Sequence, residues 1–226
     1  SVSDIDFSDI SAFVLETGGA SIDVVQFPET GFVRKIVNLA KENNCMIIAE
    51  EVTTGMGRTG KWYGYQHYDI PADMVVSGKA LGNGYPVSAV TISKDVFEQF
   101  EKNPFRYAQS HQNDPLGCAI ALEVIKVIED GNLLTASANK GVYFKEQLEG
   151  IRTKFSDKVK DVRGKGLMLA IEFCEQVNGE EVHNRLFEEG IVTGYKLNTL
   201  RLISPLTIEE SDIDTFVNVL IEILEN

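Results

Sequence analysis

The chain has 226 residues, 43% hydrophobic and 24% charged, the proportions of a folded globular protein of one or two domains rather than of a disordered or fibrous one. With 21 basic against 34 acidic side chains its net charge is −13, a field that repels phosphate backbones and anionic lipid heads, so neither nucleic acid nor a membrane is an expected partner. Cys45, Cys118 and Cys174 lie in or beside apolar runs, in odd number and without CxxC spacing, which reads as reduced, buried thiols in a cytoplasmic setting.

From the amino terminus, the apolar run Ile10 to Leu15, ended by Glu16 and the turn residues Thr17 to Gly19, predicts a buried strand feeding a loop. Val33, Ile36, Val37 and Ala40 recur at helical spacing, and Asn43 and Asn44 close that helix. Cys45 to Ala49 predicts the next strand; strand, helix and strand in close succession form a parallel crossover unit, so the first half is α/β. Short strands follow at Asp73 to Ser77 and Val87 to Ser93, separated by a glycine-rich stretch, and loops dominate there. Asn113, Asp114 and Pro115 cap a helix over Leu116 to Ile128 that is apolar nearly all round, which predicts burial, with Gly131 closing it. A polar-faced helix from about Leu133 to Phe155 comes next, then strands near Val159 to Val162 and Leu167 to Phe173, a helix near Glu180 to Glu189, and short strands around Ile191 and Leu200. The last helix carries a capping box of Thr207 and Glu210 and an apolar face of Ile213, Phe216, Val217, Leu220 and Leu224. A boundary near residue 130 divides the chain into residues 1–130 and 131–226. No run approaches the length of a membrane span, and no targeting segment is expected.

GMGRTG, with Gly55, Gly57 and Gly60, spells a dinucleotide fingerprint, but the aromatic KWYGYQHYDIP after it has no helical period, so it reads as a tight glycine loop holding an arginine. Glu50 and Glu51 end a strand, where open α/β sheets bind ligands, although taken alone such a pair is better accounted for by plain solvation of the loop. Most lysines are solvated, yet Lys79 sits at another strand end inside SGKALGNGYP, where a partly desolvated amine can lose its proton and attack a carbonyl. Arg163 and Arg201 lie beside strand patterns; Arg201, flanked by apolar residues, calls for an anionic partner. His67, His111 and His183 show no metal spacing, and no metal site or catalytic triad is expected.

IIAEEVTTGMGRTGKWYGYQHYDIPADMVVSGKALGNGYPVSAV, SHQNDPLGCAIALEVI, VRGKGLMLAIEF and LRLISPLTIEE together resemble the class III aminotransferases that use pyridoxal 5'-phosphate, from about Phe13 onward and with the motifs in order. The resemblance implies the fold type I α/β architecture: residues 1–130 as part of a large, mainly parallel-sheet cofactor-binding domain, and residues 131–226 as a smaller C-terminal α+β domain. It implies transamination between an amino acid or ω-amino acid and a 2-oxo acid through a pyridoxal phosphate Schiff base, in a homodimer with active sites at the subunit interface. By position, Lys79 matches the Schiff-base lysine, Glu50 the aspartate that pairs with the pyridinium nitrogen, and Val52 the residue on the ring face. Thr53 stands where the family has glutamine, Ser110 where a threonine reaches the cofactor phosphate of the neighbouring subunit, and Arg201 at the arginine that clamps a substrate carboxylate.

The pattern departs in three places. Glutamate at 50 is one methylene longer than aspartate, Thr53 reaches less far than glutamine, and the family's first half, with its phosphate cradle and ring-stacking aromatic residue, has no counterpart in these 226 residues. The chain therefore reads as the latter part of such an enzyme. The competing expectations are a non-catalytic or incomplete fold that dimerises or binds a partner, and another reaction on the same cofactor, such as a mutase.

Overall fold

The computed structural model describes residues 5–19 and 25–226. These form two compact units: residues 5–17, 28–56 and 63–131 in the first, and 18–19, 25–27, 57–62 and 132–226 in the second.

The first unit is built on a four-stranded sheet of β1 (Ala12–Glu16), β2 (Met46–Glu50), β3 (Met74–Ser77) and β4 (Ala89–Ile92), paired in that order. The first three are parallel and β4 is antiparallel to β3. The crossover α1 (Thr30–Glu42) buries Val33, Ile36, Val37 and Ala40, the stripe its helical spacing picks out, in one cluster with Leu15, Cys45, Ile47 and Tyr68. Asp73 fixes the register, because its carboxylate accepts the Ile47 N–H at 2.7 Å and also pairs with Lys41 at 3.0 Å. A further helix, α2 (Lys94–Lys102), starts at the Ser93 cap and buries none of its residues. In α3 (Pro115–Asp130), the Asp114 carboxylate caps the Gly117 N–H at 2.8 Å, and Gly131 ends the helix. The burial expected of α3 is absent. Only Gly117 and Ile128 are buried, whereas Leu116, Leu122 and Val127 are exposed, because no described element covers its outer face.

The second unit is an antiparallel sheet in the order β5-β6-β8-β7, from β5 (Val159–Lys165), β6 (Met168–Phe173), β7 (Gly194–Lys196) and β8 (Thr199–Ile203). Three helices pack on it: α4 (Leu133–Lys154), α5 (Gly179–Glu188) and α6 (Glu210–Glu225). The near-continuous apolar run of β6 has a physical cause, since both of its faces are covered. Leu169, Ile171 and Phe173 face the helix core with Phe144, Leu148 and Leu220, while Met168 and Ala170 pack with Val25 and Phe27. The capping box of α6 lies two residues later than the sequence suggests: Glu209 is the cap, and its N–H donates to the Asp212 carboxylate at 3.0 Å. Cys45 is buried and Cys174 half-buried, but Cys118 is exposed on α3, contrary to the expectation of three buried thiols.

Candidate active site

Glu16, Glu50 and Ser77 are the last residues of the three parallel strands, and Glu16 lies in register with Glu50. The ground beyond such strand ends is where open α/β sheets gather ligand-binding loops. Two loops meet there. After β2 the chain makes a tight turn, with the Gly55 N–H donating to the Glu51 carbonyl at 3.0 Å. A Cβ at Gly55 would sit 2.6 Å from that carbonyl oxygen, so the turn admits only glycine. After β3, Gly78 leads into Lys79, which opens a short 3₁₀ turn with φ of +40°, a left-handed conformation uncommon for a residue with a side chain and concentrated at functional sites.

The loop tips touch through their side chains. The Lys79 ammonium donates to Thr53 Oγ1 at 2.7 Å, and Val52 lies over Gly78, where an added Cβ would come 3.4 Å from Val52 Cγ1. Glu50 Oε1 accepts the Val52 N–H at 2.9 Å, which fixes that carboxylate to the same turn. Glu50, Val52, Thr53 and Lys79 are thus brought together. Lys79 itself is exposed in this chain, so the desolvation expected of an amine at this strand end is absent. Ser110 is exposed in the irregular stretch between α2 and α3. Arg201 belongs to the second unit, half-buried on β8 opposite Gly194 of β7. A Cβ at Gly194 would fall 2.9 Å from Arg201 Nε and 3.0 Å from Nη2, so the guanidinium lies against bare backbone that glycine alone leaves open.

Glu51, paired with Glu50 in the sequence and there accounted for by solvation, has a different place in the fold. Rather than being solvated, it is completely buried, and its carboxylate is surrounded by donors. Oε2 accepts from the Thr54 hydroxyl at 2.6 Å and the Gly64 N–H at 2.7 Å, and Oε1 accepts from the Tyr65 N–H at 2.7 Å. Burial pushes this carboxyl above the usual range and the neighbouring Glu50 adds to that, while the three hydrogen bonds oppose it. The available signal was Thr54, three residues on at the spacing of a local side-chain bond. Of GMGRTG, the stretch Gly57 to Gly60 serves packing in the second unit. No helix opens at Gly60, the Arg58 carbonyl accepts the Leu167 N–H at 3.0 Å and the Ser137 hydroxyl at 3.2 Å, and the Arg58 guanidinium donates to the Ser204 carbonyl. Burial pulls the Arg58 guanidinium below its usual range.

Among the described residues no group of three or more His, Cys, Asp or Glu side chains is placed to hold a metal, and no helix is long and apolar enough to cross a membrane. A cavity of about 320 Å³ lies in the second unit, lined by Phe144, Ile191, Leu202, Ile208 and Phe216 among others, and none of the strand-tip residues takes part in it.

The chain matches the family model for class III aminotransferases over residues 2–224. It is 34% identical to an ornithine aminotransferase of Bacillus subtilis over 218 residues, 96% of this chain and 52% of that protein. It is 33% identical to an acetylornithine aminotransferase of Caldanaerobacter subterraneus, over 85% of this chain and 48% of that one. A solved ornithine aminotransferase of Plasmodium yoelii superposes with a TM-score of 0.85 at 32% identity, covering 95% of this chain and 57% of its own. The chain therefore spans about half the length of the relatives it matches. Its mixed α/β content, with a sheet that is parallel in part, is that of fold type I enzymes, whose class III members depend on pyridoxal phosphate. The chain belongs to the class III aminotransferases.

Proposed function

We propose that this chain carries the catalytic amine and its supporting acid for transamination between an amino acid or ω-amino acid and a 2-oxo acid, with ornithine-like diamines as the first substrates to test. The observation that carries this reading is the meeting of Lys79 with Thr53 at the tips of adjacent parallel strands, 2.7 Å apart, beside the turn that fixes Glu50. The printed names of the relatives, ornithine and acetylornithine aminotransferase, support the substrate class.

The donor set fits the aldehyde and ring ends of pyridoxal phosphate: a primary amine, a carboxylate, a hydroxyl and an apolar side chain, on loops that glycines hold tight. When bound, that cofactor supplies a ring able to take up the charge left as a proton leaves the substrate carbon. Lys79 would hold the cofactor through its ε-nitrogen and would carry the proton at the substrate Cα. The Glu50 carboxylate would keep the ring nitrogen protonated, Val52 would cover a ring face, and Thr53 would orient the amine. Ser110 would serve the phosphate of a cofactor in the neighbouring subunit of a homodimer, and Arg201 would pair with a substrate carboxylate. In this reading the first unit is part of the large cofactor-binding domain and residues 131–226 form the small one.

A second reading, in which the chain alone is an incomplete fold that binds a partner, draws on the exposure of Lys79 and of the apolar side chains on α3. One assay separates the two. The chain, alone and mixed with a polypeptide matching the first half of its relatives, is given pyridoxal phosphate, ornithine and 2-oxoglutarate, and glutamate is measured. Glutamate that appears and is lost in Lys79→Ala supports the transaminase; none in either mixture supports the incomplete fold.

A further inference from the structure

Glu51 has no part in the reading above, yet the turn that carries Val52 and Thr53 hangs from it. Its two oxygens accept three hydrogen bonds between 2.6 and 2.7 Å. Two of the donors are backbone N–H groups, which can only donate, so each needs an accepting oxygen of this side chain. The walls are closed by glycines: a Cβ at Gly64 would lie 2.4 Å from Thr17 Oγ1, and one at Gly55 2.6 Å from the Glu51 carbonyl. Burying a carboxyl group so completely is costly, and an ordinary solvated loop would not need it. What the cage holds is the turn itself. The next residue donates its N–H to Glu50 at 2.9 Å, and the one after it accepts from Lys79 at 2.7 Å.

We infer that Glu51 is a positioning residue: its side chain clamps the turn 51–55 onto the Gly64–Tyr65 backbone, and so sets where the Glu50 carboxylate and the Lys79 amine stand. This rests on the reading of Lys79 as the amine that captures the cofactor. Glutamine at 51 keeps the shape but turns an NH₂ toward one of the donors, leaving a buried group unpaired.

The test uses the whole chain, Glu51→Gln and Thr53→Val, with two readouts. In the first, amide hydrogen exchange is followed at Val52, Gly55, Gly64 and Tyr65. In the second, the Lys79 nitrogen adds to the aldehyde carbon of pyridoxal phosphate, water leaves, and borohydride delivers hydride to that carbon. Mass spectrometry then reads the fixed adduct at Lys79 relative to the exposed Lys94 and Lys126. In Glu51→Gln all four amides exchange faster, and the Lys79 share of adduct falls at least about tenfold, as it does in Thr53→Val, because a displacement near 1 Å costs up to about a hundredfold. Faster exchange at Gly64 and Tyr65 alone, with Val52, Gly55 and the Lys79 share unchanged, overturns the inference and leaves Glu51 a local brace. Should Glu51→Gln not fold, Thr54→Val removes one of the three bonds and is held to the same pattern. If the unaltered chain shows no preference for Lys79, the transaminase reading fails, while exchange at Val52 and Gly55 still decides the role of Glu51.

Discussion

Lys79, Glu50 and Glu51 show what a motif can and cannot carry at the scale of one residue. Lys79 was legible because SGK at a strand end puts an amine on a glycine loop, and the structure gives it a left-handed backbone and a hydroxyl partner. The burial of Glu51 was not, because it is set by Gly64 and Tyr65, 13 and 14 residues on, whose N–H groups come to it only in the folded chain. The tightness of that cage is testable at Gly64. Alanine there places a methyl group against Thr17 and Thr54, and overpacking of this kind destabilises by about 1–3 kcal/mol, to be read from the denaturant midpoint. Tyr68 offers a second check. Burial first, and the Glu51 charge second, push its phenol from 10.0 up to about 12. The fold thus favours the protonated phenol, so this contribution is complete below pH 10 and is lost as pH rises toward 12. Tyr68→Phe should show a shallower alkaline fall in stability than the unaltered chain, and equal slopes would contradict the assignment.

Elements built on a short-range period were legible: α1 and α6 bury the apolar stripes their spacing picks out, and β6 is apolar without alternation because it is covered on both sides. The misreadings arose where a neighbour decides. Nothing in the spacing of α3 says that its outer face stays exposed, and α2 carries an apolar stripe of Val96, Phe97 and Phe100 yet is short and buries none of it. In the second unit, Leu148 of α4 is fully buried in the core with Phe144 and Leu220, so Leu148→Ala should cost about 2–5 kcal/mol by calorimetry or denaturation. Asp114 caps α3 through one bond to Gly117, and Asp114→Ala should cost about 1 kcal/mol. A loss near zero would mean that α3 is held from outside by something other than its cap.

Seen whole, the chain is about half of the length of its relatives, and its first unit exposes Val90, Phe97, Leu122 and Val127. Where such side chains form one contiguous patch, they favour association. Light scattering of the isolated chain should show concentration-dependent association, relieved by Leu122→Lys. The family and its fold were legible because the motifs in residues 48–90 keep their order; the exposure of Lys79 was not, since it depends on what lies over the strand tips. The most direct measurement of the central claim is the site of covalent capture when the chain, mixed with a polypeptide matching the first half of its relatives, is treated with pyridoxal phosphate and borohydride. The account predicts one dominant adduct on the peptide containing Lys79, removed by Lys79→Ala; adducts spread over surface lysines such as Lys94 and Lys126 in proportion to their exposure would contradict it.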